Sequence, residues 1–258
     1  MEEDRKELVS EHVIQSCGES LKYVMRRPAG HRIHDDPQLL ITVGADWRTP
    51  LATEPYRATA DGFLANGHYA ISFDIPCHGE RIEPYGEGIG GFCNALRSGE
   101  DPFERFVRDA RAVIDDCIRS GFATPGKIAV CGASRGAYLA FRLLIADSRV
   151  TRAAGFAPVT DWRYLSEFGA IKDSDEVDAL KLHRYVENLA GKPLFIAIGN
   201  RDIRVSTLSC CKLYTELTER NLACGHPESL VEFFCTDDPG HTMGDRWYEK
   251  GTRFLLNL

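Results

Sequence analysis

Three residues that can do chemistry together stand in order along the chain: Ser134, Asp202 and His241. A serine hydroxyl is a weak nucleophile. It needs a base to take its proton, most often histidine, and the base needs an acid to hold its tautomer. The sequence around Ser134 fits that demand. Ile128-Ala-Val-Cys131 is a short apolar run, Gly132-Ala-Ser-Arg-Gly136 ends it, and an apolar helical pattern begins at once with Tyr138, Leu139, Phe141, Leu143 and Leu144. A strand that turns sharply into a helix through G-x-S-x-G leaves the serine exposed at the sheet edge, and it needs small neighbours where strand and helix meet. Each residue alone has a plain alternative: an ordinary strand-to-helix turn for Ser134, a helix cap for Asp202, a surface loop for His241. Their joint placement argues for chemistry, because Asp202 follows the apolar run ending at Gly199 and His241 the one ending at Cys235.

The elements that would position these residues can be read from apolar patterning. Apolar runs at 21–25, 39–44, 68–74, 128–131, 152–156, 193–199 and 230–235 predict strands. Helices are predicted over 56–66, after the serine turn, through Leu213 and Leu217, and at the end with Trp247, Tyr248, Phe254 and Leu255. Asp101-Pro-Phe-Glu104 starts a further one, with Asp101 as cap, Pro102 at the first helical position and Glu104 completing a capping box. Its apolar face runs from Phe103 through Phe106, Val107, Ala110, Val113 and Ile114 to Cys117. The first twenty residues, with Leu8, Val9 and Val13, predict an N-terminal helix. The glycine-rich stretch 80–100 shows no period and reads as a long functional or mobile connection.

Strands apolar on both faces belong to a parallel sheet with helices on each side. The expectation is an α/β chain with a mostly parallel central sheet and one domain over residues 1–258. A short cap insertion, 165–190, would follow the sixth strand and hold one helix with Val177, Leu180, Tyr185, Val186 and Leu189. In such sheets reactive groups collect beyond the carboxyl ends of the strands.

Composition removes several classes. Net charge is −7 with Lys and Arg scattered, which argues against nucleic acid or an anionic membrane surface as partner. The charged start, Met1-Glu-Glu-Asp-Arg-Lys6, has no apolar segment of a secretory signal, and no apolar run approaches the ~20 residues of a membrane span. Nine cysteines make an odd number; Cys117, Cys131 and Cys235 sit in apolar patterns, and adjacent Cys210 and Cys211 lack C-x-x-C spacing. A reducing cytoplasm is expected. The eight histidines form no H-x-x-x-H or H-E-x-x-H arrangement, so no metal is expected, and His31 and His34 read as loop residues. Gly88-Ile-Gly90-Gly91 follows no strand, so no dinucleotide cofactor is expected either. The partner expected is a small-molecule substrate; a homodimer stays open.

The order Ser…Asp…His is that of the α/β-hydrolases, and several segments carry a closer resemblance. Ala157-Pro-Val-Thr-Asp-Trp162 is similar to the segment after the sixth strand of dipeptidyl-peptidase-type domains. Gly199-Asn-Arg-Asp-Ile-Arg-Val205 resembles their acid-bearing turn, and Gly240-His241 their histidine loop. Asp74-Ile-Pro-Cys-His-Gly79 resembles an Asp-x-Pro-Gly-His-Gly loop, with Cys77 in place of the usual glycine. From about Leu39 onward the chain resembles a small esterase-like α/β-hydrolase of the prolyl-oligopeptidase-like group.

The resemblance implies an α/β-hydrolase fold with Ser134 as nucleophile, His241 as base and Asp202 as its orienting carboxylate. Two backbone N–H groups would face the oxyanion: that of Arg135, and that of Ala45 in Val43-Gly44-Ala45, where the group usually has His-Gly. Asp46 and Trp47 beside that loop, and Trp162 and Tyr164 above the site, are candidate substrate contacts, with capping or packing weighed against each. For the Arg135 side chain a structural ion pair is expected ahead of a substrate carboxylate. His78 is expected to order its own loop.

The activity implied is cleavage of a small carboxylic ester through an acyl-enzyme. The large peptidases of the group carry a propeller for which this chain has no room. The alternatives are a peptidase or amidase, a lyase or C–C bond-forming enzyme on the same fold, and a binding protein with a dead site.

Overall fold

The computed structural model describes residues 7–29, 32–226, 230–244 and 246–258; the charged start (1–6) and His31 lie outside the described residues. Eight strands form one sheet: β1 (Leu8–Ser16), β2 (Glu19–Arg27), β3 (Leu39–Val43), β4 (Tyr69–Phe73), β5 (Ile128–Ala133), β6 (Val150–Phe156), β7 (Leu194–Gly199) and β8 (Val231–Thr236). Their order across the sheet is β1-β2-β4-β3-β5-β6-β7-β8. β2 runs antiparallel to β1 and β4, and every other pairing is parallel. β3, β4 and β7 are buried at every residue, the pattern of strands covered on both faces.

The helices are α1 (Arg48–Ala52), α2 (Ala58–Ala65), α3 (Gly88–Arg97), α4 (Pro102–Arg119), α5 (Arg135–Ala146), α6 (Asp175–Ala179), α7 (Val186–Leu189), α8 (Thr207–Ala223) and α9 (Trp247–Leu256). Two neighbouring residues of β6 show that both faces are covered. Gly155 lies against Phe141 of α5, while Phe156 lies against Gly251 of α9. Successive strand residues point to opposite faces, so α5 and α9 sandwich the sheet. None of the helices among the described residues is long and apolar enough to cross a membrane.

Three expectations from the sequence are corrected. The N-terminal segment is no helix but a hairpin. β1 pairs along its whole length with β2 through a two-residue turn, Cys17-Gly18, both residues having positive φ (51° and 83°), as the hairpin turns that match strand twist require. The helical spacing of Leu8, Val9 and Val13 was misleading because all three are exposed on the edge strand. The stretch 80–100 is not structureless either, since it holds α3. Its glycines hide the helix in the sequence, yet Gly91 serves packing: a Cβ there would sit 2.2 Å from the Gly86 carbonyl oxygen and 2.7 Å from Cys77 Cβ. In 165–190 the expected single helix is split into α6 and α7, with a short 3-10 turn between them. The break falls at Leu182, whose N–H is drawn to the Thr160 carbonyl at 2.9 Å.

Asp101 caps α4 as its sequence predicts, accepting from the N–H groups of Phe103 (2.8 Å) and Glu104 (3.1 Å). Glu104 does not complete the box; its carboxylate takes Arg142 of α5 at 2.6 Å. Farther along α4, fully buried Asp109 accepts from the Ser16 hydroxyl, from Arg81 at 2.8 Å and from Arg105 at 3.3 Å. One carboxylate thus ties the end of the hairpin and the loop after β4 to α4. Phe92, Phe103, Tyr138, Trp162 and Phe168 form an aromatic cluster that joins α3, α4 and α5 to the insertion.

The parallel registers bring the carboxyl ends of β5, β6, β7 and β8 to one edge: Ala133 pairs with Phe156, Phe156 with Ala197, and Gly199 with Thr236. The turn out of β5 is closely packed on both sides of Ser134. A Cβ on Gly132 would stand 2.4 Å from the Gly136 carbonyl, and one on Gly136 would stand 2.1 Å from the Val43 carbonyl oxygen.

Two predictions follow from this packing. Alanine in place of glycine ordinarily stabilises a helix. Gly136→Ala is nevertheless expected to destabilise by about 3 kcal/mol, because backbone must move to admit the methyl; urea unfolding that shows an unchanged or raised stability would contradict the contact. Asp109→Ala is expected to cost about 3 kcal/mol by removing the charge that two guanidinium groups share, read in the same unfolding experiment, with Asp109→Asn falling in between.

Candidate active site

Ser134 occupies the junction of β5 and α5 with φ 54° and ψ −117°, a backbone region costly for any residue with a Cβ. Backbone hydrogen bonds pin it, one of them from the Tyr138 N–H to its carbonyl at 3.3 Å. Its N–H donates to the Phe156 carbonyl (2.8 Å), and its carbonyl accepts from Val159 (3.2 Å) and Ala137 (3.1 Å). The strain turns the side chain toward the edge where β7 and β8 also end. There His241 Nε2 stands 3.0 Å from Ser134 Oγ, and His241 Nδ1 stands 2.7 Å from Asp202 Oδ2.

Asp202 has a fully buried carboxylate. Its Oδ1 accepts from the N–H groups of Arg204 (2.9 Å) and Val205 (3.1 Å), leaving Oδ2 for the histidine. Burial alone would raise this carboxyl's pKa, but the hydrogen bonds from His241 and from those two backbone groups outweigh it and hold the group below its ordinary value. An ionised carboxylate only accepts, so His241 Nδ1 carries the hydrogen and Nε2 is free to accept from the serine hydroxyl. Asp202 is not the cap of α8; Ser206 holds that position and accepts from Ser209 N–H.

A cavity of about 360 Å³ opens beside Ser134. Ala45 and Arg135 both line it, as do His241, Thr242 and Met243 from the loop after β8. Arg135 is the first residue of α5, so its N–H has no partner within the helix. The Ala45 loop is held from two sides. Asp46 accepts from the N–H and hydroxyl of Thr49 (2.7 and 3.1 Å), and Trp47 N–H donates to Asp74 Oδ1 at 2.9 Å. Asp74 Oδ2 in turn accepts from Glu80 N–H at 2.8 Å, so this buried acid orders the loops after β3 and β4 together. Cys77, in place of the glycine usual in the similar loop, has φ 62°, the conformation that glycine would favour. His78 orders the same loop, with Nδ1 2.8 Å from the Pro76 carbonyl.

The four candidate substrate contacts lie outside the cavity lining. Asp46 is occupied in capping Thr49, and the Trp47 ring packs on the core beneath the Arg48 guanidinium, 4.4 Å from its centroid. Trp162 is completely buried in the aromatic cluster. Tyr164 is half exposed and borders a separate hollow with His183 and Ser209. Neither 80–100 nor 165–190 contributes to the described lining. Tyr56, Tyr248 and Met243, which the sequence reading passed over, do line the cavity. They come from three separate segments and share no motif, so only the tertiary structure assembles them. The ion pair expected for Arg135 is absent among the described residues, and its Nε is buried without a hydrogen-bond partner.

The separate hollow holds an instructive second arrangement. His183 Nδ1 is 2.6 Å from Glu216 and its Nε2 3.1 Å from Ser209 Oγ. Ser209, however, lies within regular α8, is buried, and its hydroxyl is also shared with Thr160 at 2.7 Å. A Ser-His-acid chain therefore does not make a reactive site by itself; the strained turn, the adjoining cavity and the free helix N–H groups occur at Ser134.

Solved structures share this architecture. A cold-adapted esterase from an Arctic intertidal metagenomic library superposes with a TM-score of 0.69 at 17% identity, covering 97% of this chain and 96% of its own. TT1662 from Thermus thermophilus does so with a TM-score of 0.69 at 24% identity, covering 97% and 98%. A prolyl endopeptidase matches with a TM-score of 0.68 at 16% identity over 97% of this chain but 38% of its own. These likenesses show the α/β-hydrolase fold. No curated protein sequence matches the chain. The model of the prolyl oligopeptidase family matches residues 97–257, which include every element flanking Ser134, Asp202 and His241, and the chain belongs to that family.

Proposed function

We propose that this protein is a serine hydrolase that cleaves small carboxylic esters. The observation that carries the proposal is His241 standing between Ser134 (3.0 Å) and Asp202 (2.7 Å) at the mouth of a cavity. Ser134 Oγ attacks the ester carbonyl carbon while His241 Nε2 takes its proton. The carbonyl electron pair moves onto oxygen, where the N–H groups of Arg135 and Ala45 receive it. Asp202 holds the imidazole in the required tautomer and stabilises its charge. The tetrahedral species collapses, the alcohol leaves with the proton from His241, and the acyl group stays on Ser134. Water, deprotonated by His241, then attacks the acyl-enzyme and releases the acid. A cavity of about 360 Å³ suits a small acyl group, and the esterase with the similar fold is matched over nearly its whole length. The family match favours one second reading, cleavage of an amide by the same groups.

Intact-mass measurement after exposure to a fluorophosphonate is expected to show one adduct, absent in Ser134→Ala. Turnover of short p-nitrophenyl esters (kcat/KM) is expected to fall about 10⁴-fold or more in Ser134→Ala and His241→Ala, and about 10⁴-fold in Asp202→Asn. Absence of an adduct, or full turnover by Ser134→Ala, would overturn the proposal. A peptide p-nitroanilide cleaved faster than the esters would replace ester by amide.

A further inference from the structure

Arg135 presents a problem of charge. Taking a guanidinium out of water is costly unless a carboxylate or a full set of acceptors receives it. Arg135 is part-buried, its Nε is buried without a hydrogen-bond partner, and no carboxylate among the described residues forms an ion pair with it. The acids near enough to feel its charge are Glu167 and Asp46, and both are engaged elsewhere. Glu167 binds Arg204 through both oxygens, at 2.9 and 2.6 Å, and those bonds hold its carboxyl down at about 2. Asp46 holds the start of α1 through Thr49. Arg204 adds a second positive charge to the surroundings, and burial together with that charge pulls the Arg135 guanidinium below its usual pKa.

The cavity that Arg135 lines offers it no carboxylate among the described residues. Its described lining contains no Asp or Glu. Tyr56, within electrostatic reach of Arg135, lines it, and so does Tyr248, whose hydroxyl is buried without a partner. The two tyrosine rings meet edge to face with centroids 6.3 Å apart. A forked cation and phenolic donors around one small cavity form a receptor for a carboxylate.

We infer that Arg135 sets the substrate class of this site: its side chain receives an ionised carboxylate carried by the ester, with Tyr56 and Tyr248 beside it as further donors. The preferred substrate is then an ester that bears a free carboxylate, on either its acyl or its alcohol part. This rests on the ester-hydrolase reading above and adds to it a role for the Arg135 side chain distinct from that of its backbone N–H.

The test compares matched charged and neutral esters on one enzyme, so that any general loss of activity in a variant cancels. Mono-p-nitrophenyl glutarate against p-nitrophenyl pentanoate places the charge on the acyl part, and 4-acetoxybenzoate against its methyl ester places it on the alcohol part. The wild type is expected to favour the charged member of one pair at least tenfold in kcat/KM, and the pair identifies which part carries the carboxylate. Arg135→Gln is expected to lower that ratio about 10²-fold, with Arg135→Lys recovering part of it. Glutarate is expected to slow fluorophosphonate labelling of Ser134 in the wild type and not in Arg135→Gln, a readout independent of turnover. Hydrolysis of neutral esters at least as fast as their charged partners would overturn the Arg135 inference and leave the hydrolase reading standing. No adduct and no turnover of any ester would overturn both.

Discussion

The molecule depends on a contact between backbones with no side chain between them. Gly136, in the first turn of α5, lies so close to the carbonyl of Val43 that a single methyl would overlap it, and Gly132 meets Gly136 in the same way. That approach lets α5 spring directly from β5 and strains Ser134 into its exposed position. It also brings the end of β3, and with it the Ala45 loop, next to the start of α5, so that two segments far apart in sequence line one cavity. The fold's central joint and the geometry of its site are a single packing constraint.

Around that joint, the acids do different work according to what surrounds them. Asp202 is buried and saturated, with one oxygen on its own turn and the other on His241. Asp74 and Asp109 are also buried, yet they fasten loops and a hairpin to the body. The basic groups show the same contrast: Arg81, Arg105 and Arg142 have carboxylate partners, whereas Arg135 has none among the described residues. Arg135 differs from them in lining the cavity beside Ser134, where the carboxylate of a ligand could reach it.

Legibility in the sequence followed burial. β3, β4 and β7, buried on both faces, read as mostly apolar runs, broken only by Thr42 and Ser72, and the glycines around Ser134 announced the tight turn. The order of Ser134, Asp202 and His241 could be read because each follows such a run at a sheet edge set by register. The misreadings lie where local pattern and tertiary role part. Leu8, Val9 and Val13 are apolar but exposed, so their spacing said nothing about a core. Gly91 weakens a helical signal while making the helix packable, and Leu182 leaves its helix for a bond to Thr160. Trp162 is aromatic and follows β6, as a pocket wall would, but its neighbours are Phe92, Phe103 and Tyr138. Tyr56 and Tyr248 face one cavity from opposite ends of the chain, a coincidence no local pattern encodes.

The loop after β8 does two things at once: it carries His241, and through Thr242 and Met243 it forms one wall of the cavity. A change on that wall falls in the same loop as the imidazole, so a new ligand shape there would also bear on the geometry between His241 and Ser134. Tyr56, which lines the same cavity, sits instead on the connection between α1 and α2, away from His241 in the chain. A change of ligand shape is therefore easier to accommodate at Tyr56 than in the loop that carries His241.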